Sequence, residues 1–254
     1  MVASSLSLAL SILVAISAGV VGCFAVMRKM TLASDAISHV ALPGIGIAMA
    51  LHVHPVLGGM GMLFLGAILI WALETRTGMS TETVIGVVFS TALAVGSLLA
   101  SGEDLVEALL GGPGTLTAWE LVLGGAGALA VITLVLTQRS RLVVALVSKD
   151  MARTVGIEVR RLDLVFLLGF ALTIALGLRY LGVLLMGSLV IIPAATAKQI
   201  ARSLNGMLLA AVTVAVTSVV AGTLCAARLR CAPGPVIITV AAAFFLAGLS
   251  RRRV

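Results

Sequence analysis

Polar positions along this chain are few and clustered, and they cut it into apolar runs of about membrane length. Runs nearly free of charge cover 6–27, 36–53, 56–74, 82–101, 117–137, 163–179, 181–197, 206–226 and 234–250. Each approaches the roughly 20 residues that a helix needs to cross a bilayer. The breaks are charged or rich in Gly and Pro: Arg28-Lys29, His54-Pro55, Glu74 to Thr81, Gly102 to Thr115, Gln138 to Arg161, Lys198 to Gly206, and Arg228 to Pro235. The pattern predicts an all-α polytopic membrane protein with about eight or nine transmembrane helices in a single domain, 1–254. Eight follows if 163–197 packs as a broken helix pair. Small residues such as Gly58, Gly59 and Gly61 recur inside the runs, as close helix packing in lipid requires.

Composition agrees and narrows the function. The chain is 61% hydrophobic and 11% charged, against roughly 45–50% and about 25% in soluble domains; mean hydropathy is +1.22. The spans use up the length, so no soluble catalytic or nucleotide-binding module is expected. No G-x-x-x-x-G-K-[ST], H-E-x-x-H or G-x-S-x-G occurs, which removes a P-loop, a metalloprotease site and a nucleophile elbow. Met1 to Leu6 has no Lys or Arg, so the first run is expected to be a span and not a cleaved signal.

Net charge is +7, but its placement speaks for membrane topology and against nucleic acid. With nine spans and the N-terminus outside, the inner side holds all but three of the 17 Lys and Arg residues, and the outer side keeps Arg179, Arg228 and Arg230. Basic residues collect on cytoplasmic loops, so this orientation is expected, with a cytoplasmic C-terminus. Trp71, Trp119 and Tyr180 fall near span ends, where aromatic belts form. Cys23, Cys225 and Cys231 lack paired-motif spacing and read as small buried apolar residues.

Chemistry concentrates in "SDAISHVALPG", Ser34 to Gly44. Asp35 and His39 stand four apart, on one helix face. On a helix continuous from Arg28-Lys29 they would lie roughly 9 and 15 Å into the membrane. An aspartate at depth costs about 2.5–3.5 kcal/mol on insertion scales, so it marks a bundle interior or a water-filled path. A carboxylate with an imidazole suits divalent first-row ions such as Mn, Zn or Fe. The residues alone leave a second reading open: a helix-end aspartate paired with Lys29, beside a satisfied interior histidine. Pro43 removes a backbone hydrogen bond and kinks the helix, which makes Pro43-Gly44 a hinge candidate. His52 and His54, at the other end of the span, form a possible outer relay or a plain interface pair. Glu103, Asp104 and Glu107 form an acidic outer loop, solvated or cation-attracting. In the largest inner loop, 138–161, a short helix is expected from Lys149 and stops at Gly156.

Three stretches together resemble the integral membrane permease family of ABC importers for zinc, manganese and iron. They are "RKMTLASDAISHVALPG", "ETRTGMSTETVIGVVFSTALAVG", and "SKDMARTVGIEVRRLDLVFLLGFALTIALGLRYLGVLLMGSLVIIPAATAKQIARS". The resemblance runs along nearly the whole chain, and Gly182 to Ala197 is its most specific part. It implies a type II-like permease in the cell membrane of a prokaryote, with no permanently bound cofactor. It implies as partners a cytoplasmic ABC ATPase dimer, an extracytoplasmic metal-binding protein and a second permease protomer, in a homodimer. Asp35 and His39 match the family's metal-path pair. Lys149, Asp150, Ala152, Arg153 and Gly156 match the coupling helix that rests on the ATPase. Val147-Ser148-Lys149 departs from the family's aromatic-acidic start to that loop, and Arg228 with Arg230 is unusually basic for an outer loop. The form Ser38 to Gly44 is more similar to manganese/iron members. The expected function is therefore the permease subunit of an ATP-driven importer of Mn, Zn or Fe. The alternative is a proton-coupled secondary carrier, which would need intramembrane acids on several helices.

Overall fold

Each apolar run predicted above is largely helix over its described residues in the computed structural model, which describes residues 2–30, 33–99, 118–181 and 183–251. The helices are α1 (Val2–Met27), α2 (Ala33–His39), α3 (Ala41–Ala50), α4 (Pro55–Thr77), α5 (Thr81–Leu99), α6 (Ala118–Val147), α7 (Lys149–Thr154), α8 (Val159–Leu181), α9 (Val183–Ile200), α10 (Leu204–Leu229) and α11 (Pro233–Arg251). No strand occurs among the described residues. Among the described residues seven segments are long and apolar enough to cross a membrane, and α9 and α11 hold shorter apolar stretches.

Two details differ from the expectations, and the alternative of a broken helix pair at 163–197 is resolved. The second span is two helices, α2 and α3, interrupted at Val40. The fifth runs on to Val147, because Gln138 to Arg141 are polar but do not break a helix: Arg139 donates to Asn205 Oδ1 at 3.2 Å and Arg141 to Gln138 Oε1 at 3.2 Å. The inner loop is thus the end of α6, then α7 and one turn. Residues 163–197 are two separate helices, with Gly177 packed so closely on Met186 that a Cβ there would overlap its side chain.

The centre of the bundle is α1, which carries no charge and buries residues on every face: Val14, Ala15, Ala18, Val21, Cys23 and Phe24 are fully enclosed. An all-round apolar helix belongs inside. Its small residues let neighbours approach; a Cβ at Gly22 would overlap the Val190 carbonyl of α9, and one at Gly19 would meet the Ala211 backbone of α10 at 3.2 Å. Phe166, Phe170 and Ile174 of α8 complete this core. By contrast little of α4, α5 and α6 is buried, 28%, 28% and 22% of their spans, the surface a bilayer or partner chain would cover.

One end of the bundle is basic. Arg28 after α1 pairs with Asp163 of α8 at 2.8 Å and lies over the Phe166 ring at 4.4 Å. Lys149 of α7 pairs with Glu74 of α4 at 3.8 Å. These contacts, with Arg139–Asn205, gather the ends of α1, α4 and α6 with the starts of α7, α8 and α10. Cys23 is buried as expected, but Cys225 and Cys231 are exposed and unbonded, on and just after the last turn of α10. Glu103, Asp104 and Glu107 lie outside the described residues.

Candidate metal-ion pair and coupling segment

Asp35 sits in the first turn of α2. The chain does not run there as a continuous helix: it turns at Lys29, φ 60°, before α2 begins at Ala33. The depths drawn from a continuous helix therefore do not apply. Gly187 of α9 fits beneath the aspartate, where a Cβ would meet Asp35 Cα and Oδ1 at 3.1 Å. Ser34 Oγ donates to the Gly187 carbonyl at 3.2 Å, fixing α2 on α9.

His39 Nε2 lies 3.9 Å from Asp35 Oδ1. That is too long for a hydrogen bond, yet short enough for one ion within about 2.1 Å of both atoms. The carboxylate side chain is 57% exposed on the surface of the single chain and the imidazole 19%. His39 Nδ1 is buried with no hydrogen-bond partner, and the ring leans on Phe89 of α5, centroids 5.7 Å apart. Asp35 thus pairs with His39, and no ion pair joins it to Lys29 among the described residues. Among the described residues no third His, Cys, Asp or Glu joins the pair.

The interruption at Val40 has a local cause. Pro43 cannot donate to the His39 carbonyl, and its ring crowds that carbonyl. The helix instead closes with Val40 N–H to the Ile37 carbonyl at 3.0 Å and restarts at Ala41. Gly44 is locked in packing: a Cβ there would overlap the Gly58 carbonyl and meet Met62 Cβ at 2.6 Å. His52, left-handed at φ 56°, and His54, the N-cap of α4, are exposed in the turn after α3. The structure does not bring them to Asp35 and His39, since the whole of α3, about 15 Å of rise, lies between.

At the basic end, α7 is the short helix expected, built by its own caps. Ser148 Oγ accepts from Met151 N–H, the N-cap pattern. At the other end, Gly156 at φ 81° donates to the Arg153 carbonyl at 3.0 Å, and Ile157 to that of Ala152 at 2.9 Å. That pair of bonds is the Schellman stop. Ala152 is buried while Asp150 and Arg153, bonded to each other at 3.0 Å, face outward. A cleft of ≈ 410 Å³ lies beneath Lys149, bordered by Arg28, Glu74, Thr81 and Asp163.

Two residues here escaped the sequence reading. Trp71 is more than a belt aromatic: its indole N–H donates to the Arg160 carbonyl at 2.8 Å, under the Arg160 guanidinium at 5.7 Å. Glu74 seemed only a span-ending charge. Their i, i+3 spacing was the available signal, since it puts both on one face of α4.

Comparison with known proteins places this arrangement. The family model described as the ABC 3 transport family matches residues 5–252. The chelated iron transport system membrane protein YfeD of Yersinia pestis is 32% identical, over 94% of this chain and 83% of its own length. The high-affinity zinc uptake system membrane protein ZnuB of Haemophilus influenzae is 30% identical, over 91% of this chain and 90% of its own. Among solved structures, PsaBC from Streptococcus pneumoniae in complex with Fab superposes with a TM-score of 0.81 at 29% identity, covering 96% of this chain and 89% of that one. The match spans the bundle from α1 to α11, and the chain belongs to the ABC 3 transport family.

Proposed function

We propose that this protein is the membrane permease subunit of an ATP-driven importer of divalent transition-metal ions, Mn, Zn or Fe. It is a transport subunit and not itself an enzyme. The observation that supports the metal path best is the half-buried His39 imidazole, its buried Nδ1 unpartnered and its Nε2 3.9 Å from the Asp35 carboxylate. Relatives named for zinc uptake, chelated iron transport and manganese import support the class of ion.

In this reading Asp35 and His39 hold the ion transiently. The carboxylate opens on the surface of one chain, and lipid is a poor neighbour for it; a second protomer covers that face and brings its own pair. Four ligands from two chains would bind an ion well enough to accept it, and two per chain let it go. Pro43 and Gly44 follow the Val40 interruption; the hydrogen bond that Pro43 removes lets α2 and α3 change their angle, while Gly44 keeps α3 seated on α4. His52 and His54 receive the ion from an extracytoplasmic binding protein. The basic end faces the cytoplasm, where Lys149, Asp150, Ala152, Arg153 and Gly156 meet an ATPase dimer.

The test is uptake of radiolabelled Mn²⁺ and Zn²⁺ into proteoliposomes holding the permease with its ATPase partner. Accumulation that requires ATP is expected. Accumulation driven by a proton gradient with no ATPase present would establish the secondary carrier instead.

A further inference from the structure

The segment assigned to the ATPase is gripped at both ends by the same face of one helix. Lys149, at the start of α7, pairs with Glu74 at 3.8 Å. Arg160, at the start of α8, accepts on its carbonyl from Trp71 Nε1 at 2.8 Å. The cleft of ≈ 410 Å³ borders both Glu74 and Lys149, so this end of the segment stands open beside the bundle, whereas Ala152 further along is buried.

The same helix touches the metal-ion pair's support further along. A Cβ on Gly66 would meet Val40 Cγ1 at 2.7 Å, so the Val40 side chain seats directly on α4 at the point where α2 gives way to α3. Gly66 and Glu74 are eight residues apart, about 12 Å along the axis. At Gly58 the α4 backbone also meets Gly44 of α3. A straight helix is stiff along its length, and such contacts shift between arrangements and do not stretch.

We propose that α4 is the rod that transmits displacement of the 148–160 segment to the helix interruption beside His39, with Glu74 and Trp71 as its grip and Gly66 as its thrust point. These are positioning residues. The proposal rests on the permease reading above and adds the route of coupling to it.

The experiment measures Mn²⁺ moved per ATP hydrolysed by the permease–ATPase complex in proteoliposomes. Glu74→Lys and Lys149→Glu each lower this ratio about two- to five-fold, the range open to an exposed ion pair. The doubly exchanged Glu74→Lys/Lys149→Glu protein regains it, which a role of Lys149 only toward the ATPase would not allow. Gly66→Ala lowers the ratio, and Val40→Ala/Gly66→Ala, which removes the γ-methyl in the way, restores it. Co-purification of the ATPase with each variant shows that the complex is assembled. Unchanged ratios in the single variants, or an exchanged pair no better than either single, would overturn the rod while leaving the permease reading intact. Failure of the unaltered complex to move Mn²⁺ with ATP would overturn both.

Discussion

At the scale of single residues, the glycines separate by what stands opposite them. Gly58 and Gly44 meet backbone to backbone, and a Cβ at Gly58 would overlap the Gly44 carbonyl and meet Ala48 Cβ at 2.5 Å. Gly61, one turn on, has nothing within 4 Å. Gly58→Ala should destabilise by about 1–3 kcal/mol through overpacking, whereas Gly61→Ala should be neutral or stabilising by up to about 1 kcal/mol through helix propensity. Thermal unfolding of the two purified variants checks the contrast; equal loss in both would refute the packing account. Sequence alone could not rank these glycines, because the spacing G-x-x-G does not say which face turns inward. Asp35 and His39 were legible from type and spacing, but the orphaned Nδ1 and the Phe89 contact depend on how α5 lies across α2.

At the scale of elements, α7 shows how much a short helix owes to its ends. Six residues are too few to be stable by propensity, so Ser148 and Gly156 hold it. Ser148→Ala should cost about 1 kcal/mol. Hydrogen exchange of the Met151 to Thr154 amides is then expected to speed up roughly five-fold, with the α8 amides unchanged. Equal exchange before and after substitution would show that packing of Ala152 alone maintains the helix. The Ser148 cap was not readable in the sequence, but the start at Lys149 and the stop at Gly156 were readable. The split of the second span was only partly so: Pro43 announces a disturbance, but the interruption falls at Val40, because the carbonyl that Pro43 cannot satisfy belongs to His39, one turn earlier. The run-on of α6 to Val147 was hidden because Gln138 to Arg141 look like loop by charge while being sound helix formers.

At the scale of the whole molecule, hydropathy defined the spans well because lipid forces backbone groups to bond within each helix. What it could not give was the order of burial, with α1 and α8 central and α4, α5 and α6 outside, since every span is apolar. The Arg28–Asp163 pair fixes the two central helices to each other at the basic end, with side chains only 12% and 16% exposed. Asp163→Asn leaves that guanidinium facing an amide and should cost about 1–3 kcal/mol, read as a lower unfolding temperature of the purified protein; an unchanged temperature would show that the Phe166 stack holds Arg28 alone. The central claim is that Asp35 and His39 form the path of the ion. The most direct measurement is ATP-dependent uptake of radiolabelled Mn²⁺ and Zn²⁺ by the complex carrying Asp35→Asn or His39→Ala, with expression and ATPase assembly matched to the unaltered protein. Uptake falling at least about ten-fold in both is the predicted result, the order of loss when a ligand or its orienting partner is removed. Uptake at the unaltered rate in either variant would contradict it.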